Sequence, residues 1–147
     1  EEIYALTEWG QLLCVDMQNL AIKWLRDLEM EKSATMTLDK RFVYVGTANP
    51  RWRWQEVQII ERRSDRCGAR TYAVRTANLI RPELEIATDV KRHHIFRPQL
   101  RAKVGEKWIN LDQEIYPSRE FEISLVLERG EATTAPSISS IKLKGKS

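Results

Sequence analysis

The sequence has little of several things, and each shortage excludes a class of protein. Two cysteines, Cys14 and Cys67, stand in 147 residues. They allow one bridge at most, not the disulfide framework of a small secreted scaffold, and two free, partly buried thiols are the expectation. Charge of one sign is also missing: 24 basic and 21 acidic residues are intermixed, for a net +3. That balance is a weak pull toward an acidic partner and not the dense basic footprint of a nucleic-acid-binding domain, so no nucleic acid is expected. No apolar run approaches the ~18 residues of a membrane span, so no membrane partner is expected either. No basic-then-apolar leader opens the chain, which begins Glu1-Glu2 in place of Met, as a processed chain or one cut from something longer would. Internal repeats, low-complexity tracts and convincing linkers are absent, so residues 1–147 are read as one domain.

Catalytic and metal-binding patterns are missing as well. The chain contains no CxxC, GxGxxG, P-loop or GxSxG pattern. Its two histidines, His93 and His94, are adjacent. On a strand they point to opposite faces, which makes them poor co-ligands and suits one exposed and one packed side chain. Six aspartates and fifteen glutamates fall mostly on the polar side of alternating runs, as a solvated surface requires. The expectation is a protein that is not an enzyme and holds no cofactor and no metal.

What the sequence does have is alternation of period two, the mark of half-buried strands. Ala34, Met36 and Leu38 share one face of 33–40, and Val57 and Ile59 alternate with Glu56 and Gln58 in 55–62. Leu100, Ala102 and Val104 alternate in 99–104. Phe121, Ile123, Leu125 and Leu127 do so in 121–128, and Ile141 and Leu143 near the end. Phe42-Val43-Tyr44-Val45 is a short run apolar on both sides, as in a doubly buried strand. Residues 71–76, 84–86 and 94–96 are further short strand candidates. Turn material falls at 46–50, 64–68, Pro82, Gly105-Glu106, Pro117-Ser118 and 130–136. Short strands with turn signals every 10 to 15 residues predict an all-β fold, an antiparallel, jelly-roll-like β-sandwich. Residues 20–31 admit two readings. As a short helix, Leu20, Trp24 and Leu28 form a stripe; as a strand, Leu20, Ile22, Trp24, Leu28 and Met30 share a face with Arg26 as the only intruder. The strand template fits better.

The most distinctive local feature is Asn49-Pro50-Arg51-Trp52-Arg53-Trp54. If extended, it puts Trp52 and Trp54 on one face and Arg51 and Arg53 on the other. The tryptophans then either enter the core, with the arginines covering its rim, or stack on sugar rings while the arginines pair with anions. Trp108 is expected to pack against the sandwich after a tight turn, and Trp9 and Trp24 to be core. Arg51, Trp52, Arg53, Trp54 and Trp108 are the candidate binding residues, and the loops around Gly105 and 131–136 the other places to look.

The last third of the chain carries a resemblance. The strand 97–104, the turn 105–107 and Trp108-Ile109-Asn110-Leu111 resemble the strand, turn, Trp-x-x-Leu unit of galactose-binding-like (discoidin-type) β-sandwich modules. Residues 119–127 resemble their long penultimate strand, and Ile138-Ser139-Ser140-Ile141-Lys142-Leu143 their closing strand. The resemblance covers 97–146 and no family calcium or sugar site aligns. Such modules occur in tail and baseplate proteins of bacteriophages, where they bind neighbouring subunits or host glycans. The resemblance therefore implies a non-catalytic virion structural protein that assembles with other virion proteins or copies of itself. The alternative is a carbohydrate-binding module, secreted or at the cell surface, that meets a host glycan through exposed tryptophans.

Overall fold

A computed structural model of the chain describes residues 1–30, 34–47, 49, 51, 53–62, 68–112, 114–132 and 134–147, the side chain of Ser139 apart. Eleven strands and no helix occur among these residues: β1 (Glu2–Leu6), β2 (Gln11–Asp16), β3 (Ile22–Asp27), β4 (Ala34–Leu38), β5 (Phe42–Thr47), β6 (Trp54–Glu61), β7 (Gly68–Thr88), β8 (Ile95–Val104), β9 (Lys107–Asn110), β10 (Ser118–Glu128) and β11 (Ile138–Lys146). They form a three-stranded sheet, β1-β2-β3, and an eight-stranded sheet in the order β4-β5-β6-β11-β7-β10-β8-β9, with every pair antiparallel.

The large sheet becomes a sandwich through β7. Residues 68–80 of this 21-residue strand pair with β10, and residues 81–88 pair with β11. The register with β10 jumps between Arg75–Glu120 and Ile80–Ser118, and at this irregularity the strand leaves one half-sheet and joins the other. Side-chain parity holds across the passage: Arg70, Tyr72, Val74 and Thr76, then Ile80 and Pro82, are buried while their neighbours face water. The segments 71–76 and 84–86, expected as separate strands broken at Pro82, are thus one strand. Pro82 is tolerated because the C-terminal half of β7 is the free edge of its half-sheet, where a missing N–H breaks no ladder.

The main core lies between the half-sheets. Phe42, Val57, Ile59, Tyr72, Ile80, Phe121, Ile123, Leu125, Leu127, Ile141 and Leu143 belong to one buried cluster, drawn from both halves. The β10 and β11 faces are those the alternation predicts. β5 and β6 are buried on both sides, as expected for β5. For β6 the expectation fails in part, since Ile60 and Gln58 are buried on the face assigned to solvent. A second core covers that face. Val43, Val45 and Ile60 pack against Tyr4, Leu12, Cys14, Leu28 and Met30, so β1–β3 form a third layer on the outside of β5 and β6. Gln58 Nε2 donates to the Leu28 carbonyl at 2.7 Å across this junction.

The segment 20–31 contains the strand β3 (Ile22–Asp27) and no helix among its described residues, Glu31 lying outside them, but its faces differ from the expected ones. Cys14 opposes Trp24, whereas Val15 opposes Ile22, so Lys23 is an extra residue in β3. The bulge reverses parity. Trp24 faces the second core and Ile22, two residues earlier, faces water. The β1–β2 connection is fixed by Gly10, at φ +78°, where a Cβ would stand 2.7 Å from the Met30 carbonyl oxygen.

Candidate functional site

The residues singled out in the sequence do not converge. Arg51 and Arg53 are exposed and precede β6, in turn or bend backbone and not in an extended strand, and Trp52 lies outside the described residues. Trp54 is the first residue of β6 and is 51% exposed, with Lys146 Nζ 5.8 Å above its ring. It shares the parity of Glu56 and so stands on the outward face of its half-sheet; the expectation that it enters the core is overturned. Trp108 on β9 is 41% exposed beneath the Arg101 guanidinium, 5.5 Å from the ring centroid. It pairs with Lys103, whose neighbour Ala102 is in the core, so Trp108 faces outward from the other half-sheet. The outer faces of a sandwich point opposite ways, and Trp54 and Trp108 therefore cannot make one stacking platform. Trp24 is half-buried against Tyr4, ring centroids 5.9 Å apart, as expected. Trp9 is not core: it sits in the β1–β2 turn, 70% exposed.

The described part of the loop 131–136 is pinned at Thr134 and, just beyond it, at Ser137. His94 accepts the Lys91 N–H at Nδ1 (2.9 Å), which leaves Nε2 to donate to the Thr134 carbonyl at 2.7 Å. Thr88 Oγ1 donates to the Ser137 carbonyl, and the Ser137 N–H is held by the Asp89 carboxylate. His93 is exposed. The Gly105-Glu106 turn, with φ +63° at Gly105, joins β8 to β9 and brings no polar cluster with it.

A groove of about 480 Å³ opens between β4–β6 and residues 73–77 of β7, lined among others by Thr35, Thr37, Asp39, Glu56 and Arg75. It is partly open to solvent, its described lining has no histidine or cysteine, and no metal-binding group of three His, Cys, Asp or Glu occurs among the described residues.

The outer faces of the sandwich are built for water. Across β6-β11-β7, Lys142 meets Glu56 (3.5 Å) and Lys144 meets Glu85 (2.7 Å). Across β7-β10-β8, Arg75 and Lys103 both reach Glu120, and Arg101 reaches Glu122. Such exposed pairs add little to stability one by one, but together they make a solvated, charged surface.

The outward face of β1-β2-β3 is of another kind. Register puts Ile3, Val15 and Ile22 in one row and Ala5, Leu13 and Leu25 in the next. Ile22 and Leu25 are 58% and 51% exposed, and Ile3 is exposed as well. No charge interrupts these six positions. Met17 and Leu20, both exposed, flank one end, and Trp9 the other. Of the eleven exposed large apolar side chains among the described residues, six lie in this sheet and its turns. A contiguous exposed apolar patch of this kind makes the face a candidate interaction surface. Sequence reading missed it because β1 and β2 are apolar on both faces and show no alternation. The signal was there: 3–6 and 12–15 are short apolar runs like 42–45, which was read as doubly covered.

The inner side of this sheet carries a partly buried polar cluster. Glu2 Oε2 accepts from Tyr4 OH (2.7 Å) and from the Cys14 thiol (2.9 Å), while Lys23 Nζ lies 3.3 Å from Oε1. The Arg62 guanidinium stacks 5.2 Å from the Tyr4 ring centroid. The Cys14 thiol, Tyr4 hydroxyl and Lys23 hold the Glu2 carboxyl down to about 2. Burial, then the bond to Glu2, pushes the Cys14 thiol up, so it is inert as well as free; Cys67 lies outside the described residues. A depressed carboxyl stabilises the folded state above its ordinary value of 4.5, and that stabilisation is lost as pH falls toward 2. Urea unfolding of the wild type should therefore weaken between about pH 5 and 2, and Glu2→Gln should flatten that decline. Parallel curves for the two proteins would show that Glu2 is not the group involved.

A scan against protein-family models finds no match for this chain, and no curated protein is detectably similar to it in sequence.

Proposed function

We propose that this chain is a non-catalytic assembly module, a β-sandwich that joins a larger particle through protein–protein contacts. The observation that carries the reading is the uninterrupted apolar outward face of β1-β2-β3, on a molecule whose other sheet faces are charged. Such a face left in water is a liability, and covered by a partner it becomes the core of an interface. The setting we propose is a virion, with neighbouring tail or baseplate-type subunits or copies of itself as partners. It rests on the resemblance of residues 97–146 to galactose-binding-like modules. Reconstitution with the particle components encoded beside it tests the reading: the wild type should be incorporated, and Ile22→Thr/Leu25→Thr, which keeps β-forming residues but removes the apolar surface, should not. Equal incorporation of both would overturn it.

The carbohydrate-binding alternative draws on the exposure of Trp54 and Trp108. Their opposite orientations leave it one isolated ring on each face, each capped by a cation. Tryptophan fluorescence across a glycan panel should stay unchanged; a saturable shift abolished by Trp54→Ala or Trp108→Ala would favour the lectin.

A further inference from the structure

We infer that the outward face of β1-β2-β3 is the interface of a two-fold dimer, packed sheet on sheet against the same face of a second copy. The inference rests on the assembly reading above and names the partner. Two features select a second copy, and a third sets how the dimer responds to salt. The first is area. Ile3, Ile22 and Leu25, with Trp9, Met17 and Leu20 at the ends, are 43–71% exposed. Together they offer on the order of 700 Å² of apolar surface, close to the ~800 Å² per partner of a standard stable interface.

The second is self-complementarity. A two-fold axis in the plane of the interface, perpendicular to the strands and between the two rows, sets each row against the other row of the mate. Ile3 then faces Ala5, Val15 faces Leu13 and Ile22 faces Leu25, with the smallest side chain opposite a large one. β2, the middle strand, lies over its own copy.

The third is charge, which sets how such a dimer behaves. Residues 1–30 carry six carboxylates and only two cations, a net −4 in a chain of +3. Both cations are engaged within the sheet, Lys23 with Glu2 and Arg26 over the Trp24 ring. Glu1, Glu8, Asp27 and Glu29 are exposed around the apolar face. Face-to-face packing brings two acidic rims together, so apolar burial drives the dimer while rim repulsion opposes it. Salt screens the rim and leaves the apolar contact intact. The dimer should tighten with salt, opposite to what an acidic face docking on a basic surface would do.

Sedimentation velocity of the full chain over a concentration series, at about 50 mM and about 500 mM NaCl, tests this. The expected result is a reversible monomer–dimer equilibrium whose Kd falls several-fold at the higher salt. Ile22→Thr/Leu25→Thr should raise Kd by ~100-fold or more, while Leu79→Thr, an equally exposed leucine outside the face, leaves it unchanged. Circular dichroism checks that both variants are folded. Monomers throughout, a dimer that weakens with salt, or a dimer indifferent to the double substitution would each overturn the inference. If the chain is monomeric but the double variant still loses incorporation into particles, the second-copy inference fails and the assembly reading stands. If both proteins are incorporated equally, the assembly reading fails as well.

Discussion

Leu125→Ala is expected to lower the free energy of unfolding by about 3 kcal/mol, and Val126→Ala, one residue on, by less than ~1 kcal/mol. β10 is an inner strand of its half-sheet, paired with β7 on one side and β8 on the other, and Leu125 sits opposite Arg70 and Pro98. Its side chain is 1% exposed within the main core, among residues from both half-sheets. Removing its three outer carbons takes away buried apolar area and leaves a cavity that strands tied on both sides cannot close. Val126 points the other way, into the half-exposed outer layer. In thermal unfolding, the loss for Leu125→Ala corresponds to a midpoint roughly 10 °C lower. Equal costs at the two positions would mean that the half-sheets do not pack face to face through β10.

The contrast within β10 also explains what was legible in the sequence. Strands that bury one face, such as β8, β10 and the end of β11, announce themselves by alternation, which marks their inward residues. Three kinds of element were not. β1 and β2 have an apolar inner face for structural reasons and an apolar outer face that the domain itself does not cover, so period two is absent. β7 looked like fragments because Pro82 usually breaks a strand, and only tertiary context shows that this half of β7 is an edge. In β3 the bulge at Lys23 moves Ile22 to the opposite face from Trp24, a change no pattern of two reveals. The tryptophans misled for a related reason. Size and apolarity suggested core positions for Trp9 and Trp54, but one stands in a turn and the other begins a strand on its outward side. The candidate surface proposed here could have been suspected only by asking why residues 3–6 and 12–15 are apolar on both sides.

Glu61→Leu should be at least as damaging as Leu125→Ala, with a loss of about 3–5 kcal/mol, although it exchanges a charge for a hydrophobe. Glu61 ends β6, and its Oε1 lies 3.0 Å from Arg70 Nε, with the two side chains only 15% and 4% exposed. Tyr72 OH, 3.4 Å away, donates to the same oxygen, and its ring packs against Phe42 with centroids 4.6 Å apart. A buried ion pair adds little to net stability because desolvation offsets most of its attraction, but removing one member leaves the other charge in a low-dielectric site without that counter-charge. The cost therefore lies in what Arg70 loses. The double variant Glu61→Leu/Arg70→Met should accordingly recover most of the stability, since it removes both charges and keeps the volume filled. The phenol supplies an independent readout. Burial pushes the Tyr72 hydroxyl up first, and the Glu61 charge pushes it further. Its ultraviolet titration should therefore move down in Glu61→Leu yet stay above the ordinary value of 10.0. A double variant no more stable than Glu61→Leu would show that the charge of Arg70 is not the source of the cost. The link between β6 and β7 would then depend on packing around Tyr72, where the doubly covered strand meets the one that joins both half-sheets.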